Sequence, residues 1–383
     1  MVKHNGSLTE IAAIFLTLGV LAFGGPAAHI AMMEDIVVKR KGWMSRQHFL
    51  DLIGATNLIP GPNSTEMAMH CGYERGGRKG LLIAGTCFIF PAVVITGVLA
   101  ALYLEYGSVP KIAPFLYGIK PAVLAIILGA IIKLGRNALK NLKLGIVGCL
   151  VLVATLFGVN EITAILAAGV LGLLMVGLPR GFTKNRANWM PVFTGFLTAG
   201  GTAIGTNISS TKLFLVFLKI GAVLFGSGYV LIAYLDTELV HDLGWLTKLE
   251  LLDAIAIGQF TPGPVLSTAT FIGYQIDGWQ GAIVATLGIF LPSFFYVWLL
   301  NPVIPRLRRS ALARGFLDAL NIAAVAIMMA VTYRLGHEIL IDWRAWFIAL
   351  LSLGVTFIWK KAGSFYLVLG GAVLGYLLLN LEI

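Results

Sequence analysis

The chain has 383 residues, 58% hydrophobic and only 12% charged, with 28 basic against 18 acidic side chains for a net charge of +10. Apolar runs such as Ile11 to Leu21, Ile112 to Ile132 and Phe214 to Leu235 recur along its whole length. Runs of about 20 apolar residues suffice to cross a bilayer core of about 30 Å, so the composition excludes a soluble globular domain and predicts an all-α polytopic membrane protein. A membrane β-barrel would instead show short alternating strands. The basic excess fits short cytoplasmic loops and argues against nucleic acid as a partner. Cys71, Cys87 and Cys149 have no metal or redox spacing, and nothing in the sequence implies a cofactor or a metal.

In chain order, the N-terminus lacks the basic region and small-residue cleavage site of a signal peptide, so Leu8 to Ile30 reads as a first span, which Gly24-Gly25-Pro26 could break; the second copy, Gly226-Ser227-Gly228, lacks that proline. The other spans of the first half are expected at 80–104, 112–133, 144–158 and 162–178, and those of the second at 213–235, 281–300, 315–334, 345–359 and 364–380. That makes about ten transmembrane helices. Between the first two spans of each half lies an apolar segment interrupted by Pro-Gly-Pro, at Pro60-Gly61-Pro62 and again at Pro262-Gly263-Pro264. Proline removes a backbone donor and stops a helix, and glycine opens backbone angles that other residues avoid.

The halves match beyond these breaks. Gly42-Trp43 returns as Gly244-Trp245, Asp51 as Asp253, Asn57 as Gln259, Gly72-Tyr73 as Gly273-Tyr274 and Pro91 as Pro292. Compositional bias would not keep Trp, Asp and Pro-Gly-Pro in register, so the sequence predicts an internal duplication. The expected organisation is a first repeat over 1–178, a cytoplasmic linker over 179–212 and a second repeat over 213–383. The apolar patch Trp189 to Leu197 in the linker is ambiguous.

Each broken segment starts at a helix cap, Ser45 in one copy and Thr247-Lys248-Leu249-Glu250 in the other. From cap to break is about 20 Å of helix at 1.5 Å per residue, too short to cross. If both segments enter and return, 21 of the 28 basic residues fall on one side; if they cross, the split is nearly even. The positive-inside rule favours two re-entrant broken-helix hairpins. Five crossings per half then invert the second repeat and leave both termini outside. Inverted repeats with broken helices near the midplane are the architecture of many secondary transporters.

The half-helices after the breaks begin at Asn63-Ser64-Thr65 and at Val265-Leu266-Ser267-Thr268. Their first-turn amides lack helical partners and carry the positive end of the dipole, which suits an oxyanion. The expected binding set is the two Pro-Gly-Pro breaks with Asn57, Asn63, Ser64, Thr65, Gln259, Thr261, Ser267 and Thr268, or else these side chains merely cap the half-helices. Lys120 stands in the middle of an apolar run, where a charge is by default a functional candidate. It could neutralise an anion, or reach toward the headgroups as Lys219 is expected to do. Glu66 and His70 share a helix face and, with Asp51 and Asp253, are candidates for ion coupling.

Phe23-Gly24-Gly25-Pro26, Gly42-Trp43, Pro60-Gly61-Pro62-Asn63-Ser64-Thr65-Glu66 and Gly72-Tyr73 resemble the first domain of the chromate ion transporter family. Thr261-Pro262-Gly263-Pro264, Phe271-Ile272-Gly273-Tyr274 and Phe290-Leu291-Pro292-Ser293 resemble its second domain. The resemblance implies a long, two-domain member in a bacterial inner membrane that exports chromate in competition with sulfate. The expected partners are that oxyanion and the lipid bilayer, with homo-oligomerisation left open. The alternatives are a sulfate or other oxyanion transporter of the same build, and a membrane enzyme acting on lipid phosphates. The enzyme would need clustered carboxylates or a Ser/His pair, and neither pattern is evident.

Overall fold

The computed structural model describes residues 7–23, 25–56, 59–107, 112–177, 209–225, 228–300, 310–359 and 363–380. Asn57, the Trp189 to Leu197 patch and nearly all of the expected linker lie outside the described residues. Every regular element among the described residues is helical. In the first half these are α1 (Leu8–Leu21), α2 (Pro26–Met33), α3 (Arg46–Thr56), α4 (Asn63–Tyr106), α5 (Ala113–Ala138), α6 (Leu142–Leu156) and α7 (Glu161–Gly177). In the second they are α8 (Ser210–Val223), α9 (Leu231–Leu235), α10 (Lys248–Phe260), α11 (Thr268–Leu300), α12 (Ala311–Ile339), α13 (Trp343–Ile358) and α14 (Ser364–Asn380).

Local chemistry starts these helices where the sequence says it should. Thr247 and Glu250 form a reciprocal capping box on α10, and the Ser45 hydroxyl accepts the His48 amide at the start of α3. Four helical segments, Asn63–Tyr106, Ala113–Ala138, Val265–Leu299 and Ala311–Ile339, are long and apolar enough to cross a bilayer. Their outward faces present Leu82, Phe90, Leu102, Leu287 and Phe295, the surface a lipid environment requires. The protein is a multi-pass helical membrane protein.

Two expected spans are corrected. Leu8 to Ile30 is not one helix, because α1 stops at Leu21 and the chain reverses around Gly25, whose φ of 80° suits glycine. Residues 26–40 then run back, and Lys41 Nζ lies 3.0 Å from Glu10 Oε1 at the start of α1. Gly25, with Pro26 in the first turn of α2, supplies the break. The expected span 213–235 is likewise interrupted after Val223, and the returning segment places Glu238 2.7 Å from Lys219. The pair answers the charge of Lys219, which the sequence reading left reaching for headgroups. Each half therefore contains two helical hairpins that double back, where one was expected. Helices α6, α7, α13 and α14 have 15, 17, 16 and 17 residues, about 22 to 26 Å each, short of a full core thickness.

Ion pairs fix which termini lie together. Glu10 with Lys41 and Arg75, Glu34 with Arg46, and His48 with Glu74 gather the mouths of both first-half hairpins at one end of the bundle. The chain turns there at Gly76–Gly77 inside α4 and runs to the other end. A closely similar turn sits at Asp277–Gly278 in α11, but at that other end, where Ser210 meets Asp277 and Lys248 meets Glu338. Lys212, expected among the basic loops, lies over the Trp245 ring beside this second mouth. The start of α1 sits with Lys41 and Arg75, so the expectation that the first helix separates the N-terminus from these basic residues is corrected as well; the break at Gly25 returns the chain to the end it came from.

The bundle closes through glycine contacts. A Cβ on Gly72 would lie 2.3 Å from the Gly80 carbonyl, and one on Gly273 would lie 2.3 Å from that of Gly281. Gly118 meets Gly371 and Gly375 where α5 crosses α14. Small residues let backbones approach closely enough for dispersion to hold helices together in lipid.

Candidate functional site

Four interruptions meet inside the bundle: at residues 22–23 with Gly25, at 59–62, at 224–225 and at 261–264. They are joined crosswise. The Gly61 amide donates to the Leu224 carbonyl at 2.7 Å, and the Gly263 amide donates to the Ala22 carbonyl at 2.9 Å. Each Pro-Gly-Pro break is thus bonded to the interruption after the first helix of the opposite half. This satisfies amides that the broken helices would leave unpaired at depth.

Gly61 adopts φ 145°. A Cβ there would lie 2.2 Å from Glu66 Oε1 and 2.4 Å from Ser293 Oγ, so two polar side chains from different halves close over this glycine. Glu66 is fully buried, and neither its carboxylate oxygens nor the Ser293 and Thr65 hydroxyls have a hydrogen-bond partner among the described residues. Pro62 accepts the amides of Thr65 and Glu66 through its carbonyl and thereby sets the first turn of α4. Ser64 and His70 are buried alongside.

The second break is tied into itself. Thr261 Oγ1 donates to the Gly258 carbonyl at 3.0 Å and lies 3.4 Å from Ser267 Oγ, while Thr268 Oγ1 donates to the Val265 carbonyl at 2.8 Å. Gln259 is buried on the helix before it. The two breaks therefore differ in what they offer a ligand.

A cavity of about 350 Å³ opens beside the first break. Its polar lining comes from Asn63 at the start of α4, Asn137 at the end of α5, Lys140 in the following turn, and Arg314, Asp318 and Asn321 on α12. It sits at the end of the bundle that holds the first-half hairpin mouths. Only Asn63 of this lining belongs to the binding set read from the sequence.

Lys120 is elsewhere on α5, about 20 Å along the helix from the cavity wall. Its Nζ lies 3.1 Å from Asp253 Oδ1, and Tyr103 donates to Asp253 Oδ2 at 2.6 Å. The lysine charge is balanced by a carboxylate of the opposite half. Asp51, the positional match of Asp253, is half-buried on α3.

Two central residues escaped the binding set. Ser293 follows Pro292 inside α11; it is read as part of the Phe290-Leu291-Pro292-Ser293 motif but not placed in that set. His29 is buried and its Nε2 lies 3.1 Å from the Ala22 carbonyl, the same oxygen that accepts from Gly263.

Comparison with known proteins agrees with the resemblance noted from the motifs. The chain matches the chromate transporter family over residues 9–173 and 211–376. It is 29% identical over 364 residues to a probable chromate transport protein of Synechococcus elongatus, covering 91% of this chain and 89% of that one. It is 29% identical over 376 residues to a chromate transport protein of Cupriavidus metallidurans, covering 96% and 92%. An uncharacterized transporter of Methanocaldococcus jannaschii is 28% identical over 393 residues, covering 98% and 96%. No solved structure matches the chain.

Proposed function

The chain belongs to the chromate transporter family, and on that premise we propose that it is a secondary transporter for a divalent tetrahedral oxyanion, chromate first and sulfate as the near alternative, exporting it across a bacterial inner membrane by alternating access. The observation that carries this reading is the crosswise bonding of the interruptions, Gly61 to Leu224 and Gly263 to Ala22. Two halves that exchange equivalent bonds at their centre can rock about that point, and broken helices at the midplane are where such transporters bind substrate.

In this reading the second repeat is inverted. The first-half hairpins open on one face and the second-half hairpins on the other. The face with the cavity carries Lys41, Arg46, Arg75, Lys140 and Arg314, which makes it the cytoplasmic face by the positive-inside rule. The start of α1 then lies inside and the end of α14 outside. The cavity at the inner face, with the Lys120–Asp253–Tyr103 cluster drawn together at the outer, describes the state that loads from the cytoplasm. Glu66, buried at the pivot without a hydrogen-bond partner among the described residues, is the group on which ion coupling would act, with His70 on the same helix face.

Two measurements test the reading. Inverted vesicles containing the protein are expected to accumulate labelled chromate, with sulfate competing. Flat uptake with folded protein present removes the transport function. Cysteines introduced by Gly76→Cys and Asp277→Cys, in a background lacking the native thiols, are expected to react with an impermeant reagent from opposite faces. Reaction of both from one face removes the inverted arrangement.

A further inference from the structure

We propose that the cavity beside the first break is a one-sided loading site for a fully ionised tetrahedral oxyanion, with Arg314 as the residue that captures it. The proposal rests on the transport reading above for its role, and on the cavity itself for its ligand.

Charge comes first. Lys140 Nζ lies 2.7 Å from Asp318 Oδ1, so these two cancel. Arg314 has no ion-pair partner among the described residues and is left as the net charge of the wall. It stands in the first turn of α12, its amide donating to the Ser310 carbonyl at 3.2 Å. A cation there opposes the helix dipole and gains nothing for helix stability. Its field adds to the positive ends of α12 and of α4, the latter beginning at Asn63. An anion is the one occupant that all three sources favour.

Shape and hydrogen bonding agree. The cavity of about 350 Å³ has room for on the order of ten waters at about 30 Å³ each, enough for a small oxyanion with part of its hydration shell. The carboxamides of Asn137 and Asn321 each carry an NH₂ donor, and a guanidinium can grip two oxygens of a tetrahedral anion at once. Neutral amides around a single cation hold a dianion without trapping it, which a conducting site requires.

The other end has no such set. By the repeat register, Ala113 stands for Arg314, Val265 for Asn63, and Lys120 for Asn321. Lys120 is already bound to Asp253. Capture is therefore built into one face only, and the transporter is asymmetric in the direction it loads.

The test uses the full chain in inverted vesicles, with labelled chromate and labelled sulfate as probes. Arg314→Gln is expected to raise the half-saturating concentration at least tenfold, as loss of a charge-assisted pair implies, and Arg314→Lys to restore most of it. Lys133→Gln removes an exposed cation from α5 outside the cavity and is expected to change little. An unchanged half-saturation in Arg314→Gln, or an equal rise in Lys133→Gln, overturns the proposal while transport stands. Should Arg314→Gln fail to fold, Asn321→Cys in a background lacking the native thiols is labelled instead; sulfate is expected to slow the reaction, and an unaffected rate overturns the site. Wild-type vesicles that show no uptake but do show sulfate-slowed labelling would remove the transport reading and keep the anion site.

Discussion

Gly61→Ala is expected to cost roughly 2 to 6 kcal/mol of stability and to abolish transport. At φ 145° the backbone occupies a region essentially reserved for glycine, where strain alone costs about 1–3 kcal/mol. The added methyl would also lie 2.4 Å from Ser293 Oγ and 2.2 Å from Glu66 Oε1. The Glu66 carboxylate is the far end of a flexible side chain, but it is fully buried and has little space into which to swing. Crowding of this kind adds about 1–3 kcal/mol. Thermal unfolding in detergent and vesicle uptake read the two effects. Gly263→Ala is an internal comparison: at φ 84°, its methyl would meet the Ala92 methyl at 2.9 Å and nothing else closer than 3.4 Å, so the loss should be smaller. If Gly61→Ala is as stable as the parent, the glycine is not set by this geometry. In a Gly61→Ala/Glu66→Ala double variant one of the two crowding partners is gone and Ser293 remains, so part of the stability returns while coupled uptake stays lost. Exchange that remains coupled in Glu66→Gln, on the other hand, would remove Glu66 from the mechanism.

Much of the fold was legible in the sequence because it is written in local signals. Pro-Gly-Pro stops a helix wherever it stands, Thr247 and Glu250 make a cap within one turn, and apolar runs mark what lipid can cover. The reversal near Gly25 was harder. Hydropathy records that residues 8–30 are apolar but not that the chain turns round among them, and the contact that proves it joins Glu10 to Lys41. The second-half reversal has no proline after its glycines and gave even less warning. The centre of the site was half visible: the breaks could be read, but not that each bonds to the other half, because the partners Gly61 and Leu224 are far apart in sequence. The cavity was legible only at Asn63. The rest of its polar wall is Asn137 on α5, Lys140 in the turn after it, and Arg314, Asp318 and Asn321 on α12, which nothing in the sequence brings together until the helices are packed. Ser293 was visible as the last residue of a family-like motif, but not as a side chain that closes over Gly61.

Lys120 shows how structure can separate two readings that composition leaves level. As an anion site, its removal should weaken binding and leave folding alone. As half of a buried pair, its removal should damage folding, because Asp253 keeps its charge with only the Tyr103 hydroxyl to answer it. The exposures, 18% for Lys120 and 8% for Asp253, put the pair close to the buried class, where removal of one partner costs about 3 kcal/mol or more. Lys120→Met is accordingly expected to lower stability by about 3 kcal/mol, and Lys120→Met/Asp253→Asn to recover most of it, since no buried charge then stands alone. The pair also ties α5 of the first half to α10 of the second at the end opposite the cavity. The recovered double variant should therefore fold well yet label faster with impermeant reagents at that end, as a gate without its latch. A Lys120→Met protein of full stability with a raised half-saturation for chromate would reverse the assignment and return the lysine to the substrate.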